Sequence, residues 1–348
     1  MLMLHLFRSV STTQLQLIGI YRKEGVLKES FIATQQTFIH LHFRSNPFRY
    51  LYQLRKQLLE HSVGIVHAVQ PIDIILAKIA CAGTSIKTCQ TIHGFDFSMT
   101  KIAKALIGWS LRMADTTVFV SRYQQQVYAK TYRRSVTGKE VVVPNGIAFQ
   151  RINGSSRFRS LPASKQLTFV TVGNFNAGRD QLTLCRFALR LKAEGICFQW
   201  FFAGQRTEKE AWRYDGCVDY CTQNGLSEQM IFLGSCDDVH LLLQKADLFI
   251  YASEHDTFGM AVVEALAQGI PVLVNDWPVM KEITDDGQLA TIYITKEEEH
   301  FVEQLISLLS TVSPERQLEI ATAVRERYSI ENHINSLITK VYLPLLQS

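Results

Sequence analysis

Short β-branched runs recur along this chain, and each is followed by a stretch long enough for a helix. They cover residues 15–21, 38–41, 64–68, 87–92, 116–120 and 140–143, then 167–172, 198–203, 230–233, 248–251 and 270–274. Runs so short and so apolar suit strands buried on both faces, as in a parallel sheet. Helix-length stretches such as 47–61 and 100–113 lie between them. Strand–helix alternation of this kind predicts a parallel sheet with helices on both sides. The rhythm breaks once, over residues 151–165, where Gly154, Pro162 and several serines mark a linker.

The chain has 348 residues, which suits two domains of about 150 residues each. The expected organisation is an N-terminal domain over 1–148, a linker over 149–165, a second domain over 166–328 and a C-terminal helix over 329–348. Ile330, Ile334, Leu337, Ile338, Val341 and Tyr342 recur at helical spacing in that last segment. Spacing does not say where this helix packs; a return onto the N-terminal domain is the expectation. Both domains read as doubly wound α/β units facing across a cleft, with ligands at the carboxyl ends of the strands. Residues 1–14 are all that precede the strand at 15–21, so the opening strand of the first unit is expected to be missing. The alternatives are a chain that starts inside its first helix, or a strand over 2–7.

Hydrophobic residues make up 47% and charged residues 20%, as in a globular protein. No apolar run approaches the roughly 18 residues of a membrane span, and residues 1–7 lack the basic leader and cleavage site of a signal peptide. The seven cysteines, with Cys217 and Cys221 one helical turn apart, show no second pair at zinc-ligand spacing. They read as free thiols of a reducing compartment. The formal charge of +4 hides an imbalance. Residues 1–150 hold 18 Lys/Arg against seven Asp/Glu, and residues 151–348 hold 18 against 25. A basic front half favours an anionic partner, either membrane headgroups or nucleic acid. No helix-turn-helix, RNA-binding aromatic signature or zinc finger supports the second. The segment 47–61 sets Arg49, Arg55 and Lys56 opposite Leu51, Leu54 and Leu58 and is a candidate membrane-facing helix, although packing on its own sheet explains the pattern as well.

Three stretches carry candidate chemistry. The first, DTFGMAVVE, runs from Asp256 to Glu264 and follows the strand at 248–251. Its helix, opening at Phe258 or Gly259, presents unpaired amides to a ligand at a strand's carboxyl end, a ready pyrophosphate site. Gly259 admits close approach to the backbone, Asp256 can face a reacting group, and Glu264 can accept hydrogen bonds from a diol such as ribose. The competing reading makes Asp256 a helix cap and Glu264 a solvated side chain. The second stretch, GNFNAGRDQ from Gly173 to Gln181, is a turn rich in exposed amides in which Arg179 supplies a charge suited to phosphate. A plain strand-to-helix turn capped by Asp180 competes with it. The third places His93-Gly94 after the strand at 87–92, where His93 can bond a sugar hydroxyl or play a structural part.

Together these residues resemble the retaining glycosyltransferases of family 4, which have the GT-B fold. The resemblance runs from about Ile65 to the C-terminus. It covers His93-Gly94, Ala114-Asp115 to Val120-Ser121, Val143-Pro144-Asn145-Gly146, the Gly173 loop, Phe232-Leu233-Gly234 and Ala246-Asp247. The spaced pair Asp256 and Glu264, with Gly269-Ile270-Pro271-Val272 behind it, carries most of the weight. The resemblance implies a second domain that binds a nucleotide-sugar donor and a first domain that binds the acceptor. Asp256 and His93 would act at the donor sugar. Gly173, Asn174, Arg179 and the amides of Phe258, Gly259 and Met260 would hold sugar and phosphates, Glu264 the ribose, and Leu233-Gly234 the base. Transfer would retain configuration and need no metal or other cofactor.

Departures from the family pattern are specific. The first acid is usually Glu and here is Asp256. The phosphate loop usually has Arg and then Lys, where this chain has Asn174 and Arg179; Arg206 or Lys209 could supply the lost charge. The expected function is transfer of a sugar to a saccharide or lipid-linked saccharide in cell-surface polysaccharide or glycolipid synthesis, in the cytoplasm at the inner face of an anionic membrane and without nucleic acid. A nucleotide-sugar 2-epimerase and a non-catalytic nucleotide-sugar-binding fragment are the alternatives.

Overall fold

A computed structural model of the chain describes residues 2–10, 15–25, 28–43, 46–96, 99–132, 139–149, 158, 166–236 and 238–348. The chain divides into two compact units, Met1–Ala148 with Ser329–Ser348, and Phe149–Tyr328. The expected linker, 149–165, falls outside the described residues except at Phe149 and Phe158.

The first unit opens with a helix, Leu2–Ser9, rather than a strand. Its strands are β1 (Ile18–Tyr21), β2 (Thr37–His40), β3 (Ile65–Ala68), β4 (Lys87–Ile92), β5 (Thr116–Phe119) and β6 (Glu140–Val142). All pair in parallel, β1 with β2 in one sheet and β3-β4-β5-β6 in another. Successive strand residues point to opposite faces, and Val118 and Phe119 show it. Val118 is buried in a cluster with Cys89, Val143, Ile334 and Leu337, and so against the C-terminal helix Ile330–Leu337. Phe119 is buried with Ile107, Leu111 and Tyr128, against the helix Lys101–Met113.

The C-terminal segment thus packs into the first unit's core. Gly146 allows it to come close, since a Cβ there would stand 2.6 Å from the His333 Cβ and 2.8 Å from the Ile330 Cα. The helical spacing predicted over 329–345 is interrupted by one π-helical turn, Ile338–Tyr342, which sets Tyr342 Oη 2.7 Å from His67 Nδ1 on β3.

The helix Pro47–Glu60 corrects the membrane-facing expectation. Asn46 caps it by accepting from the Arg49 amide at 3.0 Å. Leu54 and Leu58, the face offered to a membrane, are buried with Leu41, Tyr50, Leu76 and Ala80 inside the unit, and Leu51 packs against that cluster. Arg55 bonds the carbonyls of Ala80 and Ala82 at 2.8 and 2.7 Å, so one of the three cations is committed to the fold. Among the described residues, no helix is long and apolar enough to cross a membrane. Cys81, Cys89, Cys185, Cys217 and Cys221 are buried free thiols, whereas Cys197 is exposed and Cys236 half-buried.

The second unit holds β7 (Leu167–Val172), β8 (Phe198–Ala203), β9 (Met230–Gly234), β10 (Leu248–Tyr251), β11 (Val272–Asn275) and β12 (Thr291–Tyr293). They form one parallel sheet in the order β12-β11-β10-β7-β8-β9. Its core is aromatic, with Phe169, Phe187, Trp200, Phe202 and Phe301 buried together. The edge strand β12, TIY, is not among the runs expected from the sequence. After β9 the chain crosses to the other side of β7 to lay down β10. The carboxyl ends of β7 and β10 are therefore neighbours at the point where the winding reverses, the place where doubly wound sheets bind ligands.

Candidate functional site

The loop after β7 and the loop after β10 meet at that reversal, joined by a bridge between Arg179 and Ser253. The first loop is pinned from several sides. Gln181 donates its side-chain amide to the carbonyls of Gly173 (3.1 Å) and Asn174 (3.3 Å). Asn174 Oδ1 accepts from the Gln205 amide at 3.0 Å, which ties the loop to the end of β8. Asp180 caps the helix Gln181–Ala193 through the Thr183 amide, as the plain-turn reading expects.

Arg179 folds back inside this loop, with its Nε 2.8 Å from where a Cβ on Gly173 would stand. Its Nη1 bonds the Gly178 carbonyl and the Asp256 carboxylate. The guanidinium also sits 5.1 Å from the Tyr251 ring centre. Burial works against its charge, and Tyr251 and Asp256 outweigh burial, so its pKa is raised. Arg179, expected to meet phosphate, shares its charge with the Asp256 carboxylate in the protein alone. The side chain's Nε is buried without an acceptor, an unusual state for a group that serves only the scaffold.

Asp256 is not a helix cap. Gly259 occupies the cap position of the helix Met260–Ala267, three residues further on. Asp256 instead faces Arg179 and accepts a 2.5 Å bond from Tyr251 Oη. Burial, the largest influence, holds the Tyr251 phenol well above its ordinary pKa, so it stays a donor. The loop that carries Asp256 is rigidly held. Its amide donates to Ser253 Oγ (3.1 Å), its carbonyl accepts from Trp277 Nε1 (3.2 Å), and Asn275 bonds both the amide and the carbonyl of Ser253 at 3.0 and 2.8 Å. Sequence reasoning missed Tyr251, Ser253, Asn275 and Trp277. A signal existed for Tyr251: a single hydroxyl closes the otherwise apolar strand LFIY.

Gly259 has φ +86°, and a Cβ there would meet Met280 at 2.8 Å and Ile283 at 3.1 Å. Glycine is needed for the left-handed turn and the packing against Pro278–Ile283, a different reason from close ligand approach. Phe258 is buried edge-to-face on Tyr328, 5.5 Å between centres, so it offers a backbone amide and no side chain. The carbonyl of Gly259 already accepts from Val262 and Val263; the amide of Met260 opens the helix. Glu264 lies in its second turn. Burial pushes its carboxyl up to about 7, which contradicts the solvated side-chain reading.

Two further positions stand apart. Leu233 is the extra residue where β8 and β9 lose register, since Phe202 pairs with Phe232 and Ala203 with Gly234. The bulge turns Leu233 outward, 41% exposed, and Gly234 follows at φ +67°. His93 belongs to the first unit, exposed just past the carboxyl end of β4. Arg206, suggested as a replacement for the lost phosphate cation, pairs with Asp215 through two 2.7 Å bonds. Among the described residues, no group of three His, Cys, Asp or Glu side chains is arranged to hold a metal ion.

Comparison with known proteins follows this division. A phosphatidyl-myo-inositol mannosyltransferase of Mycobacterium leprae is 21% identical over 301 residues, 83% of this chain and 76% of that protein. EpsD of Bacillus subtilis is 24% identical over 252 residues, 68% of this chain and 65% of EpsD, so that match spans just under two thirds of the relative. Anabaena HepE, solved with UDP, superposes with a TM-score of 0.81 at 12% identity, covering 98% of this chain and 96% of that one. A glycosyltransferase of Rickettsia africae gives 0.78 at 16% identity over 95% and 90%. These likenesses show the fold, GT-B. The family model for glycosyltransferase family 4 matches residues 23–151. Residues 154–327, half of the chain, match the model for glycosyl transferases group 1, and the chain belongs to that family of glycosyltransferases.

Proposed function

We propose that this glycosyltransferase takes a sugar from a nucleotide-sugar donor bound at the carboxyl ends of β7 and β10. It passes that sugar, with retention, to a saccharide or lipid-linked saccharide in polysaccharide or glycolipid synthesis. The observation that carries the reading is a set of uncompensated groups around one helix start. A buried guanidinium nitrogen lacks an acceptor, and the Glu264 carboxyl is pushed up to about 7 by burial. Arg179 bonds Asp256, three residues before the helix start at Gly259, and Glu264 lies in the second turn of that helix, at the reversal of the sheet, where a diphosphate and a ribose would satisfy them. HepE holding UDP and a mannosyltransferase relative named for a phosphoinositide support the same chemistry.

In this reading, the amides of Phe258, Gly259 and Met260 and the amides of the Gly173–Asn174 turn meet the phosphates. Arg179 shifts part of its charge from Asp256 to the leaving diphosphate, and no metal is required. Glu264 accepts from the ribose hydroxyls, while Leu233 and Gly234 border the base. Asp256, oriented by Tyr251, faces the donor sugar, and His93 serves the transfer step from the acceptor-binding unit. The bond from the anomeric carbon to the phosphate breaks as the acceptor oxygen attacks on the same face, and the acceptor's proton passes to the departing phosphate oxygen.

The test is a thermal-shift screen of UDP, GDP, ADP and CMP sugars on the intact chain, followed by transfer assays with the best donor in EDTA. One donor should raise Tm and be turned over equally well with chelator. Glu264→Ala should lose at least tenfold in donor affinity. If that variant binds the donor as tightly as the parent, the ribose assignment is wrong.

A further inference from the structure

One face of a single helix in the first unit is devoted to a loop. The helix Arg122–Thr131 follows β5, and Gln124 and Tyr128 lie one turn apart on it, with Tyr132 a further turn on at its C-cap. Gln124 and Tyr128 are fully buried, at 0% and 2% exposure. All three side chains bond the loop that follows β4, residues 93–96. The Gly94 carbonyl accepts twice, from Gln124 Nε2 at 3.1 Å and from Tyr128 Oη at 2.9 Å. Tyr132 Oη donates to Asp96 Oδ2 at 2.6 Å, and Asp96 is itself buried. Phe95, between Gly94 and Asp96, packs edge-on to Tyr123 and nearly parallel to Tyr128, with ring centres 6.0 and 6.4 Å apart.

Gln124 reaches further. Its Oε1 accepts from the Val120 amide at 3.0 Å, so one side chain ties the end of β5 to the loop after β4. Its own backbone amide donates to Ser121 Oγ at 3.1 Å, the helix cap. A buried polar group costs stability whenever its bond is missed, a risk that leucine or phenylalanine at these positions would not carry. What a satisfied network adds is one unique arrangement. A carbonyl has two acceptor lone pairs, and two donors on Gly94 fix the orientation of the peptide next to His93. The second unit holds its loop after β7 in the same way, through the Gln181 bonds to the Gly173 and Asn174 carbonyls.

We propose that Gln124, Tyr128 and Tyr132 are positioning residues for His93. They hold the loop after β4 so that the imidazole stays where it serves transfer, at the carboxyl end of the first unit's sheet. This rests on the reading of His93 given above. The three residues act through residues 93–96 and not on the substrate. A phenol donates only while protonated, and burial raises the pKa of both Tyr128 and Tyr132 above the ordinary 10. The arrangement therefore persists across the neutral range.

The test is a double-variant cycle on the full chain. The donor is the best of the UDP, GDP, ADP and CMP sugars in the thermal-shift screen, and turnover is read as nucleotide release. Tyr128→Phe keeps the ring and removes one bond to Gly94. It should lower kcat roughly tenfold and leave the donor KM within about twofold. Amide hydrogen exchange should quicken over residues 93–96 and stay unchanged over 166–328. His93→Ala should lower kcat further. Tyr128→Phe added to His93→Ala should cost nothing more, because a residue that acts through His93 then has nothing left to position. Should Tyr128→Phe fail to fold, Tyr132→Phe carries the same cycle from the edge of the network. Unchanged exchange over 93–96, parent-like kcat in Tyr128→Phe, or an equal loss in the parent and His93→Ala backgrounds would overturn the proposal and leave the role of His93 standing. Parent-like kcat in His93→Ala would overturn that role and the proposal with it.

Discussion

At the scale of single residues, the candidate site consists of groups whose burial is costly in the protein alone. Glu264 titrates near its ordinary 4.5 when unfolded and at about 7 in the fold. Between these values the folded state binds more protons, so stability falls as pH rises from 4.5 to 7. The full cost, about 3 kcal/mol, persists above 7. Glu264→Gln should therefore raise Tm at pH 8, leave it unchanged at pH 4, and weaken nucleotide binding at both. Equal Tm for the two proteins at pH 8 would remove the burial argument. Tyr251 acts on Asp256 through its hydroxyl, so it is a positioning residue. Tyr251→Phe should cost about 1 kcal/mol of stability and lower kcat roughly tenfold with little change in KM for the donor. A loss confined to KM would place Tyr251 elsewhere in the cycle. An aspartate one methylene shorter than the usual glutamate needs such support, and Arg179 and Tyr251 supply it from either side.

At the scale of elements, His67 joins β3 to β4 and to the C-terminal segment, bonded to Thr91 Oγ1 and Tyr342 Oη at 2.7 Å each. Burial, with smaller contributions from His93 and His333, lowers its pKa from 6.5 to about 4. The unfolded chain binds more protons between those values, so this contribution is complete above pH 6.5. It drains as pH falls to 4, by about 3 kcal/mol. Urea unfolding of the first unit should show this slope, and His67→Gln should flatten it. An unchanged slope in the variant would assign the acid sensitivity to another group. The same element contacts explain why spacing predicted one helix over 329–345 while the chain makes a π turn within it: that turn accompanies the Tyr342–His67 bond.

At the scale of the molecule, the chain's last residues complete its first unit. Ile330, Ile334, Leu337 and Val341 are buried against Cys89, Val118 and Val143. Each is worth about 1.5–3 kcal/mol by burial, against a total stability of about 5–15 kcal/mol for a domain. A chain ending at Tyr328 should therefore lose protease protection over residues 1–148 while residues 166–328 stay protected. Equal protection of both regions would show that the segment adds nothing to the unit's fold.

Among the described residues, eleven of the twelve strands are legible in the sequence, because buried parallel strands need short β-branched runs wherever they lie; β12 was not read from it. The acid pair was legible too, since its spacing along one loop and helix is local. What one side chain meets across the sheet was not. Whether Arg179 is free or paired depends on the end of β7 lying beside the end of β10, 77 residues away. Which face of Pro47–Glu60 is buried depends on the helix Pro71–Ala80, because both faces of its sequence are apolar enough to be chosen. Periodicity records only that a face exists; the neighbours that fill it, and the charges they pair, come together through chain crossings that no local spacing encodes.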